Sequence, residues 1–558
     1  MFCYNKPVCN RPVARYKRRP YHSGPYKKVS ILRFLFDNTK GKRRAARFAL
    51  SLLAAFLLVL AAFDGPSRAD NNGPYSTDKP YYTDIGQFNY ANFLMHERDF
   101  HLAVREFARL IEHFPASPLL PRAQWHMAEA FYHAGRLHDA EAELKLFISN
   151  FEESPFAEQA RVRLDEVRRK LWRESAPVSP SPGIYRKPFI PAAPPLRAVQ
   201  VMLFEGRNKA EIGGELARLK AAGVDTVIVR AFHNPGDRYY RSVKSTVRQG
   251  VYFKTSNAPV VEDILGEFTA LAHSNGLKIF AWMTTRYADY GVEDDPALAC
   301  KKYDLESGDF VRCRGLDLFN PAAIERLEAI YSDLAAYDID GILFQDDLVL
   351  RHTEGFGPFM SALFAAETGH SAHPDALYGR TADGRLYYTE LFWEWASWKN
   401  RRLLTVADRL RTAVREKRPE VRFAINLMYE SVTNPPYALA WLSQNLDAAV
   451  RSDFDYYSIM AYHRQMSAEL DKDPAAIRAM IGRMVTDAST AVSDPGSVLI
   501  KLQTIDWTTG KALSDSEVVG LLKQVKSTGA VSVAVVPYRG DFPFYELGSK
   551  DIALLNRP

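Results

Sequence analysis

The chain has 558 residues, 47% hydrophobic and 25% charged, which excludes disordered, fibrous and collagen-like classes and is too long for a single core. Its net charge of +6 does not mark a nucleic-acid binder, because residues 1–69 hold fifteen Lys and Arg against only Asp37 and Asp64, leaving the body net negative. No nucleic-acid partner is expected.

In chain order, residues 1–69 read as a basic leader and signal peptide. The apolar run Phe48–Phe63 is short for a bilayer span and suits a signal-peptide core. Ser67-Arg-Ala69 follows as a small-x-small cleavage pattern, which predicts a cut between Ala69 and Asp70. The alternative is an uncleaved membrane anchor formed by residues 48–63, and that segment is the sole membrane contact expected. Either reading puts the body outside the cytoplasm, exported to the periplasm or cell envelope. There Cys300 and Cys313 are able to pair and pin one loop.

Residues 70–85 form a polar lead-in, and residues 86–172 carry a repeat. Ala103 and Ala140, and Ser117-Pro118 and Ser154-Pro155, stand 37 residues apart within two matching amphipathic segments. Small residues where helices cross, with Phe and Leu at helical spacing, resemble tetratricopeptide-type repeats. Such stacked helix pairs offer a surface for a protein or glycan, here an envelope or outer-membrane exporter protein; the bland alternative is a spacer. Residues 173–195 are a Pro-rich linker, stiff and unable to join a sheet centre.

From residue 196 to 558 apolar β-rich runs alternate with amphipathic helices such as Lys209–Ala222 and Val260–Asn275. The strands are predicted at Ala198–Phe204, Thr226–Phe232, Lys278–Met283, Gly341–Gln345, Arg422–Leu427, Tyr456–Ala461, Val498–Gln503 and Ser532–Pro537. Eight such units in an α/β chain predict a (β/α)8 barrel of the TIM type, preceded by the small all-α repeat domain. An open doubly wound sheet is disfavoured, since no Gly-rich phosphate loop follows the first strand.

Reacting groups in this architecture lie just past the C-terminal strand ends. The second strand presents Arg230 and His233, the third Trp282, and the fourth the adjacent pair Asp346 and Asp347. The fifth presents Asn426, Tyr429 and Glu430, the sixth Tyr462 with His463 and Arg464, the seventh Asp506 and Trp507, and the eighth Tyr538. Carboxylates, aromatic rings and amides together suit glycoside cleavage: an acid protonates the leaving oxygen, rings stack on sugar faces, and polar groups read hydroxyls. No metal-ligand spacing or Ser-His-Asp order competes, so neither cofactor nor metal is expected. Asp346 and Asp347 are the predicted catalytic pair, and the other ten strand-end residues, without His463 and Arg464, are predicted to bind substrate. Neighbours on a strand point opposite ways, so one aspartate is expected to face the pocket while the other orients loops. Glu430 and Asp506 are candidates for a second carboxylate.

Ala231-Phe-His-Asn-Pro235, Ala281-Trp-Met283, Gly341-Ile-Leu-Phe-Gln-Asp-Asp347, Trp395-Ala-Ser-Trp-Lys-Asn-Arg401, Trp441-Leu-Ser-Gln-Asn445 and Tyr456-Tyr-Ser-Ile-Met-Ala-Tyr462 form an ordered set. The set resembles the C-terminal hydrolase domain of PgaB-type poly-β-1,6-N-acetyl-D-glucosamine deacetylase/hydrolases of biofilm systems, a glycoside hydrolase family 153-like domain. The resemblance implies an endo-acting hydrolase of partially de-N-acetylated polymer, with Asp346 and Asp347 on the family's catalytic carboxylates. Helical repeats stand in place of that family's deacetylase domain, so deacetylation is not expected. Gln345 replaces a His of the family, and Ile425-Asn426 replaces an Arg-Asn. A binding protein that moves polymer without cutting it, and a repeat-based assembly protein with a scaffold barrel, are the competing readings.

Overall fold

The computed structural model describes residues 82–174 and 195–548, which fall into two compact units. The leader, its cleavage point, most of the lead-in and most of the Pro-rich linker lie outside the described residues. No helix among the described residues is long and apolar enough to cross a membrane.

Among the described residues the first unit holds five helices: α1 (Asp84–His96), α2 (Phe100–His113), α3 (Leu120–His133), α4 (Leu137–Asn150) and α5 (Ala157–Glu174), each packed on the next. Thr83 opens α1 by accepting from the Gly86 N–H, and Asp99 opens α2 in the same way from Leu102. The 37-residue repeat is written into the packing. Ala103 and Ala140 are both fully buried. Buried Gln87 donates to Glu106 at 2.8 Å, and 37 positions on, buried Gln124 donates to Glu143 at 3.2 Å. The surroundings of the pair differ: Arg109 also bonds Glu106, whereas Leu146 stands at the matching position. Burial pushes the Glu143 carboxyl up to about 7, against which the Gln124 bond pulls down.

The second unit is a closed barrel of eight parallel strands. They are β1 (Arg197–Val201), β2 (Thr226–Arg230), β3 (Lys278–Met283), β4 (Gly341–Phe344), β5 (Arg422–Met428), β6 (Tyr456–Met460), β7 (Val498–Gln503) and β8 (Ser532–Val536). The barrel closes where β1 pairs with both neighbours, Val199 lying level with Val227 and with Val535. All eight predicted strands are present, most with an end shifted: β1 starts at Arg197 and stops at Val201, and β5 runs on to Met428. The helix predicted from Val260 instead begins at Leu265, because Val261 donates its N–H to the Val251 carbonyl (2.8 Å) and Val260 bridges the same residue. Cys300 and Cys313 are joined as a disulfide across the hairpin Ala299–Tyr303 and Phe310–Leu316.

Gly341 sets the barrel interior. A Cβ there would meet the Phe280 ring at 2.6 Å, so the missing side chain lets that ring lie inward, 6.0 Å from Tyr456 three strands round. The register carries the inward side from Phe280 to Trp282 and, through β4, to Asn426, Ser458, Met460 and Lys501. Phe344 takes the outward side and stacks on Tyr331 of the helix Pro321–Leu334 (5.6 Å).

A raised native pKa makes Glu143 a pH-dependent cost. Between the ordinary carboxyl value of 4.5 and about 7 the folded state holds a proton that the unfolded chain has lost, so stability falls as pH rises through that window. Glu143→Gln is expected to raise the melting point of the helical unit at pH 8, by the equivalent of roughly 2–3 kcal/mol, and to leave it unchanged at pH 4. Thermal unfolding followed by circular dichroism at the two pH values checks this.

Candidate active site

β4 ends at Phe344; the Gln345 N–H still bonds the Met283 carbonyl (2.9 Å), and the chain then turns through Asp346 and Asp347. The turn frees the two aspartates from strict alternation, and they have separate surroundings. Asp347 is 1% exposed and held entirely by the segment after β3. It accepts from the hydroxyls of Thr284 (2.6 Å) and Thr285 (2.7 Å), from the Thr285 N–H through both oxygens (3.0 and 2.9 Å), and from the Tyr287 N–H (2.8 Å). A carboxylate offers about four lone-pair positions, so Asp347 has no capacity left for a reacting atom. The same segment carries buried Arg286, which bonds Glu354 (2.7 Å) and the carbonyls of Val349 (2.6 Å) and Arg314 (2.9 Å).

Asp346 is partly exposed at the barrel mouth. Burial of its carboxyl pushes it above the usual carboxylate range; Lys501 pulls it down, Asp347 pushes it up, and the Gln345 side chain also favours the ionised form. Lys501 is the residue that strand-end reasoning missed. It lies inside β7, 1% exposed, with Nζ donating to Asn426 Oδ1 at 3.2 Å, and burial lowers it to about 8. The signal in the sequence is a lone cation inside Val498-Leu-Ile-Lys-Leu-Gln503, a position where unpaired charge is expensive. Tyr462 senses the Asp346 charge and meets Trp507 edge-on at 5.4 Å.

Aromatic rings gather in the apolar cluster that Tyr462 joins. Tyr437, Trp441 and Tyr462 pack against Val349, Met428 and Met460. Trp441 is stacked on Tyr437 (5.7 Å) and on His352 (3.9 Å), a row of flat faces that the predicted set omitted. Trp282 Nε1, Gln345 Oε1 and Ser458 Oγ, all on the inward side by register, are buried with no hydrogen-bond partner among the described residues. Leaving such groups unpaired costs about 1–3 kcal/mol each, which suits atoms placed for a polar ligand.

The other predicted residues are engaged elsewhere. Arg230 pairs with Asp237 (2.9 Å) and bonds the Arg238 carbonyl. His233 bonds Tyr252 (2.8 Å) and stacks on Tyr239, with burial lowering it to about 4. Both build the loop after β2. Tyr429 donates to Glu469 (2.9 Å), while burial, reinforced by Glu469, raises neighbouring Glu430 to about 8. Asp506 is taken up by its own turn, accepting from Thr508 and Thr509, and Tyr538 stacks on Phe544. The structure thus brings together Trp282, Asp346, Asp347, Asn426, Tyr462 and Trp507, around a lysine that was not foreseen.

Residues 205–536 match the model of a family described as hypothetical glycosyl hydrolase family 13. Among solved structures, the chain is similar to the PgaB (BpsB) glycoside hydrolase domain from Bordetella bronchiseptica, at 22% identity and a TM-score of 0.49 over 62% of this chain and 94% of that one. It is also similar to the catalytic domain of beta-amylase from Paenibacillus polymyxa, at 11% identity and 0.43 over 65% and 97%. A beta-galactosidase from Marinomonas ef1 gives 13% and 0.41 over 61% and 54%. No curated protein matches the chain.

Exchange at the two aspartates separates their roles. Asp347→Asn places an amide N–H2 among donors and is expected to lower stability by about 2–4 kcal/mol. Asp346→Asn relieves a buried charge and is expected to leave the melting point unchanged or higher. Paired thermal melts of the two variants measure the difference.

Proposed function

The chain belongs to hypothetical glycosyl hydrolase family 13, and from there we propose that it is an exported, endo-acting hydrolase of partially de-N-acetylated poly-β-1,6-N-acetyl-D-glucosamine or a related amino-sugar exopolysaccharide. The observation that carries the mechanism is the division of labour in the aspartate pair. Asp347 is saturated by the Thr284–Tyr287 segment, and Asp346, raised by burial, stands at the mouth as the general acid.

In the proposed step, the Asp346 proton passes to the glycosidic oxygen as the C1–O bond breaks. Neither candidate second carboxylate is suited to attack: Glu430, at about 8, is protonated at neutral pH, and Asp506 is held by its turn. We assign the nucleophile to the carbonyl oxygen of the substrate's own 2-acetamido group, the substrate-assisted route. Tyr437, Trp441, Tyr462 and Trp507 offer ring faces to pyranose units, and Trp282, Gln345 and Ser458 offer polar contacts to hydroxyls or the acetamido group. The ordered motifs from Ala231 to Tyr462 support the polymer assignment, and the net negative body suits a chain carrying glucosamine ammonium groups. The helical unit is proposed to dock an envelope or exporter protein.

One observation favours a second reading, a barrel that holds polymer without cutting it. Lys501 and Gln345 both favour ionised Asp346, and an ionised carboxylate cannot donate a proton.

Incubating the purified protein with partially de-N-acetylated polymer decides between the readings. Shorter oligomers are expected, with turnover lowered at least about 100-fold in Asp346→Asn and fully de-N-acetylated polymer left intact. Retention of polymer without shortening supports the second reading, and cleavage that survives Asp346→Asn removes the assigned acid. Lys501→Met deletes the cation that lowers the Asp346 pKa, so the high-pH limb of the kcat/KM profile is expected to move to higher pH. A limb that stays in place would separate Lys501 from the chemistry.

A further inference from the structure

Lys399 and Asn400 belong to the motif Trp395-Ala-Ser-Trp-Lys-Asn-Arg401, which the chemistry at Asp346 leaves unused. The motif lies on α6 (Glu390–Arg415), whose buried stripe includes Phe392, Trp395, Lys399, Leu403 and Val406, at the three- and four-residue spacing of one helical face. A lysine on that stripe is out of place. It is fully buried, and its Nζ lies 3.6 Å from the centre of the Trp395 ring and donates to two backbone carbonyls, Arg351 (2.9 Å) and Glu354 (3.3 Å). Burial pushes its pKa well below the usual lysine range, with Glu354 opposing. A buried ammonium is expensive, and a methionine of similar length would fill the same space against Trp395. What the ammonium adds is donors for the two ends of the turn 351–354.

That turn joins two parts of the mouth. The Glu354 carboxylate accepts from Arg286 (2.7 Å), on the segment that grips Asp347, and from the Arg351 N–H (3.0 Å). Within the turn, His352 is fixed from three directions: Nδ1 lies 2.9 Å from the Tyr388 hydroxyl, the carbonyl accepts from Tyr378, and the ring stacks on Trp441 at 3.9 Å. Asn400, the next residue of α6, holds the other partner of that stack. Its Nδ2 donates to the Ser443 carbonyl (2.8 Å), and Ser443, in the left-handed region at φ 48°, ends α7 (Pro435–Leu442), the helix that carries Tyr437 and Trp441. The Ser443 hydroxyl closes the circuit on the Leu350 carbonyl (2.8 Å). Two consecutive side chains thus hold both rings.

With Asp346 as the cleaving acid, the reading on which this rests, we propose that Lys399 and Asn400 are positioning residues of the reaction: they fix the His352–Trp441 ring pair, as a sugar-stacking face, to the same frame that grips Asp347. Neither touches the glycan; each acts through the ring pair.

Fluorine NMR of the full chain labelled with fluorotryptophan reads that pair, the Trp441 signal being assigned from Trp441→Phe and the Trp125 signal of the helical unit serving as reference. Lys399→Met keeps the length and removes the charge and its donors. Replacing a buried charge by an apolar group of like volume is often neutral or stabilising, so the melting point is expected to be unchanged or higher. The Trp441 signal is expected to move while that of Trp125 stays. With partially de-N-acetylated polymer, KM is expected to rise at least about 5-fold and kcat to fall less than about 2-fold, the split left when binding alone is weakened. Asn400→Leu, which releases the other ring through a separate bond, is expected to move the same signal and give the same split. A Trp441 signal that both variants leave in place overturns the proposal, as does a loss of kcat/KM that only follows a lowered melting point. Variants that move the Trp441 signal in a chain that cuts no polymer in any form count against the cleavage reading and leave the fixing of the ring pair standing.

Discussion

The barrel mouth depends on one buried carboxylate whose oxygens are taken up by neighbouring donors. Asp347 gathers two threonine hydroxyls and two backbone N–H groups from the segment after β3, and so ties together the loops of neighbouring strands. Arg286, on the captured segment, passes the constraint on to Glu354 and the Val349 carbonyl. Water cannot easily replace such a bond set, because every donor is already directed at a buried anion. The fixed loop leaves Asp346, the next residue back, turned to the mouth with a defined charge environment. Adjacency of two acids at a strand end is thus a device for orienting one of them.

Around that acid the barrel places its polar interior by strand register alone. Asn426, Ser458 and Lys501 share one side because parallel pairing keeps partners level, and Trp282 joins them through β4. Lys501 is held by Asn426 rather than by a carboxylate, so its charge is felt at Asp346 while its proton remains only weakly bound. A buried lysine with a lowered pKa and a buried acid with a raised one form a coupled pair whose two titrations belong to the site as a whole.

The eight strands were legible because each is a short, almost unbroken apolar run between helices, the pattern of strands buried on both faces. The 37-residue repeat was legible from Ala and Ser-Pro spacing, and the structure adds the Gln–Glu pair inside each copy. Site residues were less so. Strand-end position identifies which residues are near the mouth and says nothing of how long-range partners use them: Arg230 is consumed by Asp237, Asp506 by its own turn, and Asp347 by a segment sixty residues away. Lys501 escaped because it sits within a strand, where sequence pattern marks it only as an anomaly. Trp441 and Tyr437 escaped because their stacking belongs to a short helix after β5, past the strand-end window.

Phe280 lying over Gly341 has a topological consequence. With that ring and Tyr456 filling the interior beneath the polar layer, the barrel has a floor. A glycan that reaches Asp346 therefore cannot be threaded through the molecule like a strand through a bead. It has to enter and leave by the same face, so whatever part of it is engaged at the mouth stays in continuity with the solvent on that side.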